Sequence, residues 1–209
     1  MPKQIKGDLF ISLRPSFMGK QSMMKKYKVI ALGDSITYGY PFGQKYSWVG
    51  LVSQKLGIPI ENSGINGNTF RDMAHRLVFD VLDLHPSFVI LMGGANDIYQ
   101  GYTVEKLEHH FLKIAKALQE HKIQPIVALP PPVDEKGLEL KLDSFRNFLK
   151  KQARKFKWPL LNFYTPFLDP KKKTKRVQAG LLEDGVHPSA SGYRLMAETA
   201  YPVLSKVLK

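Results

Sequence analysis

Five short apolar runs alternate with stretches whose apolar residues recur every three or four positions, and few folds accommodate that order. The runs fall at about 28–33, 58–62, 88–93, 124–129 and 159–164, and three of them are almost uninterrupted apolar sequence. Runs of that length and composition are expected of parallel strands covered on both faces. Between them, Phe70, Met73, Leu77, Val81 and Leu84 step at helical spacing, as do Val104, Leu107, Phe111, Ile114 and Leu118. Leu142, Phe145, Leu149, Ala153 and Phe156 repeat the rhythm, and Tyr193, Met196, Ala197, Ala200 and Leu204 close the chain, with Pro202 expected to end or kink that last helix.

Strand–helix alternation of this kind predicts an α/β protein, a three-layer α/β/α sandwich around a doubly wound parallel sheet with right-handed crossovers. Five strands favour the flavodoxin-like order, since a barrel needs more chain. We expect one domain over residues 27–209 and an N-terminal extension over 1–26 outside the core, with Met23 or Met24 a candidate natural start. The patch Leu9–Leu13 is too short for a secretory leader and is closed by Arg14-Pro15, and no run is long enough to span a membrane, so a cytoplasmic location is expected. The absence of cysteine removes disulfides, thiolate metal sites and cysteine nucleophiles.

In such a fold every strand-to-helix loop opens on one edge of the sheet, where any site is assembled. The first of these loops begins Gly33-Asp34-Ser35, a small hydroxyl residue at the end of a buried strand. A serine nucleophile needs a general base, an orienting carboxylate and donors for the oxyanion. Of six histidines, His75, His85, His109, His110 and His121 read as surface or packing residues on helices or at the opposite edge. His187, in Asp184-Gly185-Val186-His187-Pro188, lies on the correct edge, and Gly185 lets the carboxylate of Asp184 turn back to the imidazole. The pair is either a base with its orienter or a capped loop in which Asp184 holds only backbone amides. Gly67 follows the second strand and Asn96 the third; with the Ser35 N–H they form three candidate oxyanion donors, or three ordinary turns.

The ordered set resembles the SGNH (GDSL-type) hydrolase family of lipases and acylhydrolases. Gly33-Asp34-Ser35 stands for its first block, with Ile36 at the leucine position, Gly67 for the second, Gly94-Ala95-Asn96-Asp97 for the third and Asp184–Pro188 for the last. The resemblance runs from about residue 28 to the C-terminus. It implies a nucleophilic Ser35, His187 as acid and base, Asp184 as orienter, and an oxyanion hole of Ser35, Gly67 and Asn96. It also implies a serine esterase acting through an acyl-enzyme on small-molecule, lipid or carbohydrate esters, without cofactor or metal. Asp34, Asp97 and Asp184 lack metal-ligand spacing, and Asp34 and Asp97 are expected to brace their turns.

Tyr38, Tyr40 and Phe42, after the serine, are candidate substrate-binding residues or core staples. The net charge of +13 is concentrated in residues 141–176, where twelve Lys/Arg face two Asp. That run is either a solvated face or a means of attracting anionic esters, its 171–176 segment lying on the catalytic edge. Its aromatic residues do not interleave as nucleic-acid binding requires, and nucleotide-binding glycine motifs and the G-x-S-x-G elbow are missing. Two alternatives remain beside the enzyme: a non-catalytic binding module and a basic nucleic-acid-associated protein, the latter not expected.

Overall fold

The computed structural model describes residues 28–172 and 177–208. The chain runs β1 (Val29–Gly33), α1 (Ser35–Tyr38), α2 (Trp48–Leu56), β2 (Ile60–Gly64), α3 (Phe70–His75), α4 (Leu77–Asp80) and β3 (Phe88–Leu91). It continues through α5 (Ala95–Tyr99), α6 (Val104–Glu120), β4 (Gln124–Leu129), α7 (Lys136–Phe156), β5 (Leu160–Asn162) and α8 (Ala190–Val207). The five strands form one parallel sheet in the order β2-β1-β3-β4-β5, the expected flavodoxin-like arrangement. The order reverses between β1 and β3, which opens a crevice at the carboxyl ends of those two strands.

Alternation along the strands divides the core in two. Ile30, Leu32, Val89, Leu91, Val127 and Leu129 face α3, α6 and α7, burying Phe70, Phe111, Leu142 and Phe145 among them. Val29, Ala31, Ile90, Ile126, Ala128 and Leu161 face α2 and α8, against Trp48, Val52, Tyr193 and Met196. The helical spacings in the sequence therefore mark the buried stripes of α6, α7 and α8 correctly, except that Phe156 ends half exposed, stacked on Trp158.

Several boundaries differ from expectation. β2 starts at Ile60 rather than residue 58, because Pro59 has no N–H to donate and the Ile58 carbonyl accepts from Ser53. Its polar end, Asn62-Ser63-Gly64, is strand because Ala31, Leu32 and Gly33 of β1 pair with it. β3 and β5 are also shorter than expected, ending at Leu91 and spanning only Leu160–Asn162. The helix expected from Phe70 to Leu84 is broken at Arg76, whose guanidinium donates to the carbonyls of Gly33 and Ser63 and to Asn68 Oδ1, tying the ends of β1 and β2 to the next loop. Phe70, Met73, Leu77 and Val81 stay buried across the break, whereas Leu84 is exposed. α8 runs through Pro202 to Val207 and does not end there.

The extension over 1–26 lies outside the described residues, as do 173–176 of the basic loop. No helix among the described residues is long and apolar enough to cross a membrane.

Candidate active site

β1 delivers the serine into the crevice, and the turn that does so tolerates only glycine at its start. A Cβ on Gly33 would lie 2.0 Å from Thr37 Oγ1 and 2.9 Å from the Met92 carbonyl. Asp34 then caps α1, its Oδ1 accepting from the Ile36 N–H at 2.9 Å. Ser35 is thereby the first residue of a one-turn helix and is 7% exposed.

The Ser35 hydroxyl lies 2.9 Å from His187 Nε2, although 152 positions separate them. His187 Nδ1 lies 2.7 Å from Asp184 Oδ2, and Asp184 Oδ1 accepts from the N–H groups of Val186 (3.0 Å) and His187 (2.8 Å). Gly185, at φ +84°, supplies the left-handed turn that folds the carboxylate onto the imidazole. The two readings of Asp184 thus coexist: one oxygen holds backbone amides while the other meets the ring. With Nδ1–H donating to Asp184, Nε2 is left as acceptor for the serine O–H. Burial pushes the Asp184 carboxyl up, but the His187 N–H, the imidazole and the Val186 N–H outweigh it and hold the carboxyl below its usual range.

Gly67 sits at φ +79° in an exposed turn, and Asn96, near the start of α5, donates from Nδ2 to the Asn68 carbonyl at 3.0 Å. That bond joins the loops after β2 and β3. Among the described residues neither the Ser35 nor the Gly67 N–H donates to a protein acceptor. Ser35, Asn96, Asp184 and His187 line one cavity of about 330 Å³ with Asp34, Ile36, Ala95, Tyr99 and Val186. Gly67 is not among its lining residues. Tyr40 lies against the His187 ring, centroids 4.7 Å apart, and Phe42 lines a neighbouring groove. Tyr38 lines neither; its N–H continues the α1 turn by donating to the Asp34 carbonyl. Tyr99, exposed and one turn beyond Asn96, is a lining residue that the sequence marks only by its i+3 spacing from that asparagine.

Asp97 braces the site from behind. Both its oxygens accept from the Phe70 N–H at 3.1 Å, fixing the loop after β2 to α5. Burial pushes Asp97 up to about 7 and Asp34 up to about 6, each partly offset by backbone N–H donors. No three His, Asp or Glu side chains among the described residues are grouped to hold a metal ion.

The raised Asp97 value has a direct consequence for stability. A carboxyl whose folded pKa exceeds its ordinary value of 3.8 contributes stability that is fully present below that value and lost as pH rises through about 7. Asp97→Asn removes this slope, while its loss of one acceptor is a pH-independent offset. Urea unfolding of parent and variant should therefore converge or cross between pH 4 and 7, the variant gaining on the order of 4 kcal/mol relative to the parent. Parallel profiles would show that Asp97 is ionised throughout.

A model of the GDSL-like lipase/acylhydrolase family matches residues 31–195, from within β1 into α8. The chain belongs to that family. Among GDSL-like relatives, the acetylxylan esterase of Geobacillus stearothermophilus is 30% identical over 159 residues, covering 70% of this chain and 72% of its own length. The thioesterase 1/protease 1/lysophospholipase L1 of Escherichia coli K12 is 24% identical over 177 residues, covering 81% and 79%. A solved G-D-S-L family protein from Desulfitobacterium hafniense DCB-2 superposes with TM-score 0.77 at 32% identity, covering 85% of this chain and 99% of that one.

Proposed function

We propose that this GDSL-like chain is a serine ester hydrolase in which Ser35 is the nucleophile. The observation that carries the proposal is the continuous chain from Ser35 Oγ through His187 to Asp184, set in a cavity at the sheet's switch point. As Ser35 Oγ attacks an ester carbonyl, His187 Nε2 takes its proton and Asp184 stabilises the resulting imidazolium. The oxyanion is received by the Ser35 N–H and the Asn96 amide, which turns from Asn68 to the substrate, and the Gly67 N–H, outside the cavity lining, is the third donor that the family resemblance implies. Each such donor supplies about 3 kcal/mol of barrier lowering. Collapse expels the alcohol, protonated by His187, and leaves an acyl-serine. Water, deprotonated by His187, then releases the acid and restores the enzyme. The names of the relatives carry ester and thioester cleavage, and that chemistry supports an acyl group on Ser35 here.

The test combines turnover and labelling. The parent should hydrolyse p-nitrophenyl acetate, and a fluorophosphonate probe should modify Ser35, located by peptide mass spectrometry. Absent turnover, or a label placed on another residue, would sink the proposal.

A further inference from the structure

Beside the catalytic cavity lies a second hollow whose chemistry differs from it. It has a volume of about 220 Å³ and is lined by Phe42, Tyr46, Leu51, Ala190 and Arg194. Phe42 is 38% and Tyr46 56% exposed, so two aromatic faces stand open to solvent at its rim. The groove shares no lining residue with the catalytic cavity and is connected to His187 through Tyr40 and Tyr193. Tyr40, two residues before Phe42, lies against His187, and its carbonyl is held by the Tyr193 hydroxyl at 2.8 Å. The Phe42 and Tyr193 rings meet edge to face, centroids 6.3 Å apart, and Ala190 follows His187 by three positions at the start of α8.

The position decides which part of an ester could occupy it. During acylation the Oγ–carbonyl bond forms, the bond from carbonyl to alcohol oxygen breaks, and the proton on His187 Nε2 passes to that leaving oxygen. The alcohol portion must therefore leave on the imidazole side of Ser35, the side on which Tyr40 and Tyr193 connect His187 to this groove.

The charge narrows the alcohol further. Arg194 is exposed and donates from Nη2 to Ser191 Oγ at 3.0 Å, and it makes no ion pair among the described residues. Glu198, one turn along the same helix, is engaged by Lys55 instead. Lys45 lies over the Tyr46 ring at 5.6 Å, and the positive end of the 18-residue α8 opens at Ala190. An apolar floor with aromatic walls and an unpaired guanidinium at one end matches an amphiphile with a terminal anion.

We propose that this groove is the alcohol-side subsite, and that it takes a ring-sized apolar group ending in a carboxylate or phosphate. The proposal rests on the serine-hydrolase reading above and names the substrate class of that same site. It places anion selection at Arg194 rather than in the basic 171–176 loop.

The experiment uses acetate esters of 4-hydroxybenzoate and of 4-hydroxybenzamide, alike in shape and different in charge. Arg194→Gln should raise KM for the anionic ester about three- to fivefold, the span an exposed charge pair supplies. Its kcat, and both constants for the neutral ester, should stay as in the parent. Phe42→Ala should raise KM for both esters. In the parent, added salt should raise KM for the anionic ester only. An equal effect of Arg194→Gln on the two esters, or no salt difference between them, overturns the proposal. Binding of 4-hydroxybenzoate to the Ser35→Ala protein, followed by NMR, separates this from failure of the catalytic reading. If neither ester is hydrolysed but the acid shifts Arg194 and Phe42 resonances, anion binding in the groove stands, while the esterase reading and with it the alcohol-side role fall. If both are hydrolysed and the acid leaves those resonances unmoved, the reverse holds.

Discussion

Ser35→Ala and His187→Ala are each expected to lower kcat for p-nitrophenyl acetate by about 10⁴- to 10⁶-fold, and the double variant by no more than either alone. The physical ground is that the two side chains act as one device. Ser35 Oγ is 2.9 Å from His187 Nε2, and without the base the hydroxyl remains protonated and weak. Asp184→Asn should cost about 10⁴-fold, because an amide can donate to Nδ1 and hold the wrong tautomer. It keeps an oxygen to accept from the Val186 and His187 N–H groups, so the loop should keep its form. Neither Ser35→Ala nor Asp184→Asn should shift the urea midpoint by more than a small fraction of the total. Losses that multiply in the double variant would mean independent roles, and the proposed mechanism would fail.

The second large effect is on stability. Arg146→Ala should destabilise the fold by about 3–5 kcal/mol, measured by urea unfolding, because it strands a set of buried acceptors. Arg146, in the middle of α7, has no exposed surface. Its Nε donates to the Pro130 carbonyl at 2.9 Å and its Nη2 to the Pro131 carbonyl at 2.8 Å. Glu139 takes both terminal nitrogens, at 2.7 and 3.0 Å, and also accepts from the Val133 N–H. The guanidinium carbon, Cζ, lies over the Tyr164 ring, 4.1 Å from its centre. Arg146→Lys should recover little, since an ammonium cannot reproduce the planar fork. Activity should fall with stability, because the Asp134 N–H, just beyond the pinned segment, donates to the Gly185 carbonyl inside the loop that carries Asp184 and His187. A loss below about 1 kcal/mol would show that water replaces the missing donors.

Arg146 also marks where composition misleads. It stands within the basic run 141–176, for which a solvated face is the ordinary reading, and most of its α7 neighbours fit that reading. Its spacing from Leu142 and Leu149 does place it on the apolar stripe of α7, opposite Lys151, but that spacing names no acceptor for a buried guanidinium. The Pro130–Val133 loop closes over it and supplies the carbonyls, and Glu139, two turns earlier on α7, completes the pairing of the buried cation. Arg76 is a similar case: its helical spacing is regular, yet the carbonyls of Gly33 and Ser63 claim its guanidinium and the helix breaks there.

What the sequence determined by itself was whatever a short window encodes. Apolar periodicity marked the strands and the buried helix stripes, because the side-chain repeat of each element is local. Glycine and capping residues marked the turns at Gly33-Asp34-Ser35 and Asp184-Gly185-Val186-His187, because backbone sterics are local too. The order of those turns along the chain was enough to assign them to one edge of a parallel sheet. The tertiary structure alone decided the distances across that edge, the engagement of Asn96 with Asn68, and the separate groove between Phe42 and Arg194. It also decided which cations are buried. Those features depend on groups brought together from distant parts of the chain, and no periodicity records which distant partner a side chain will meet.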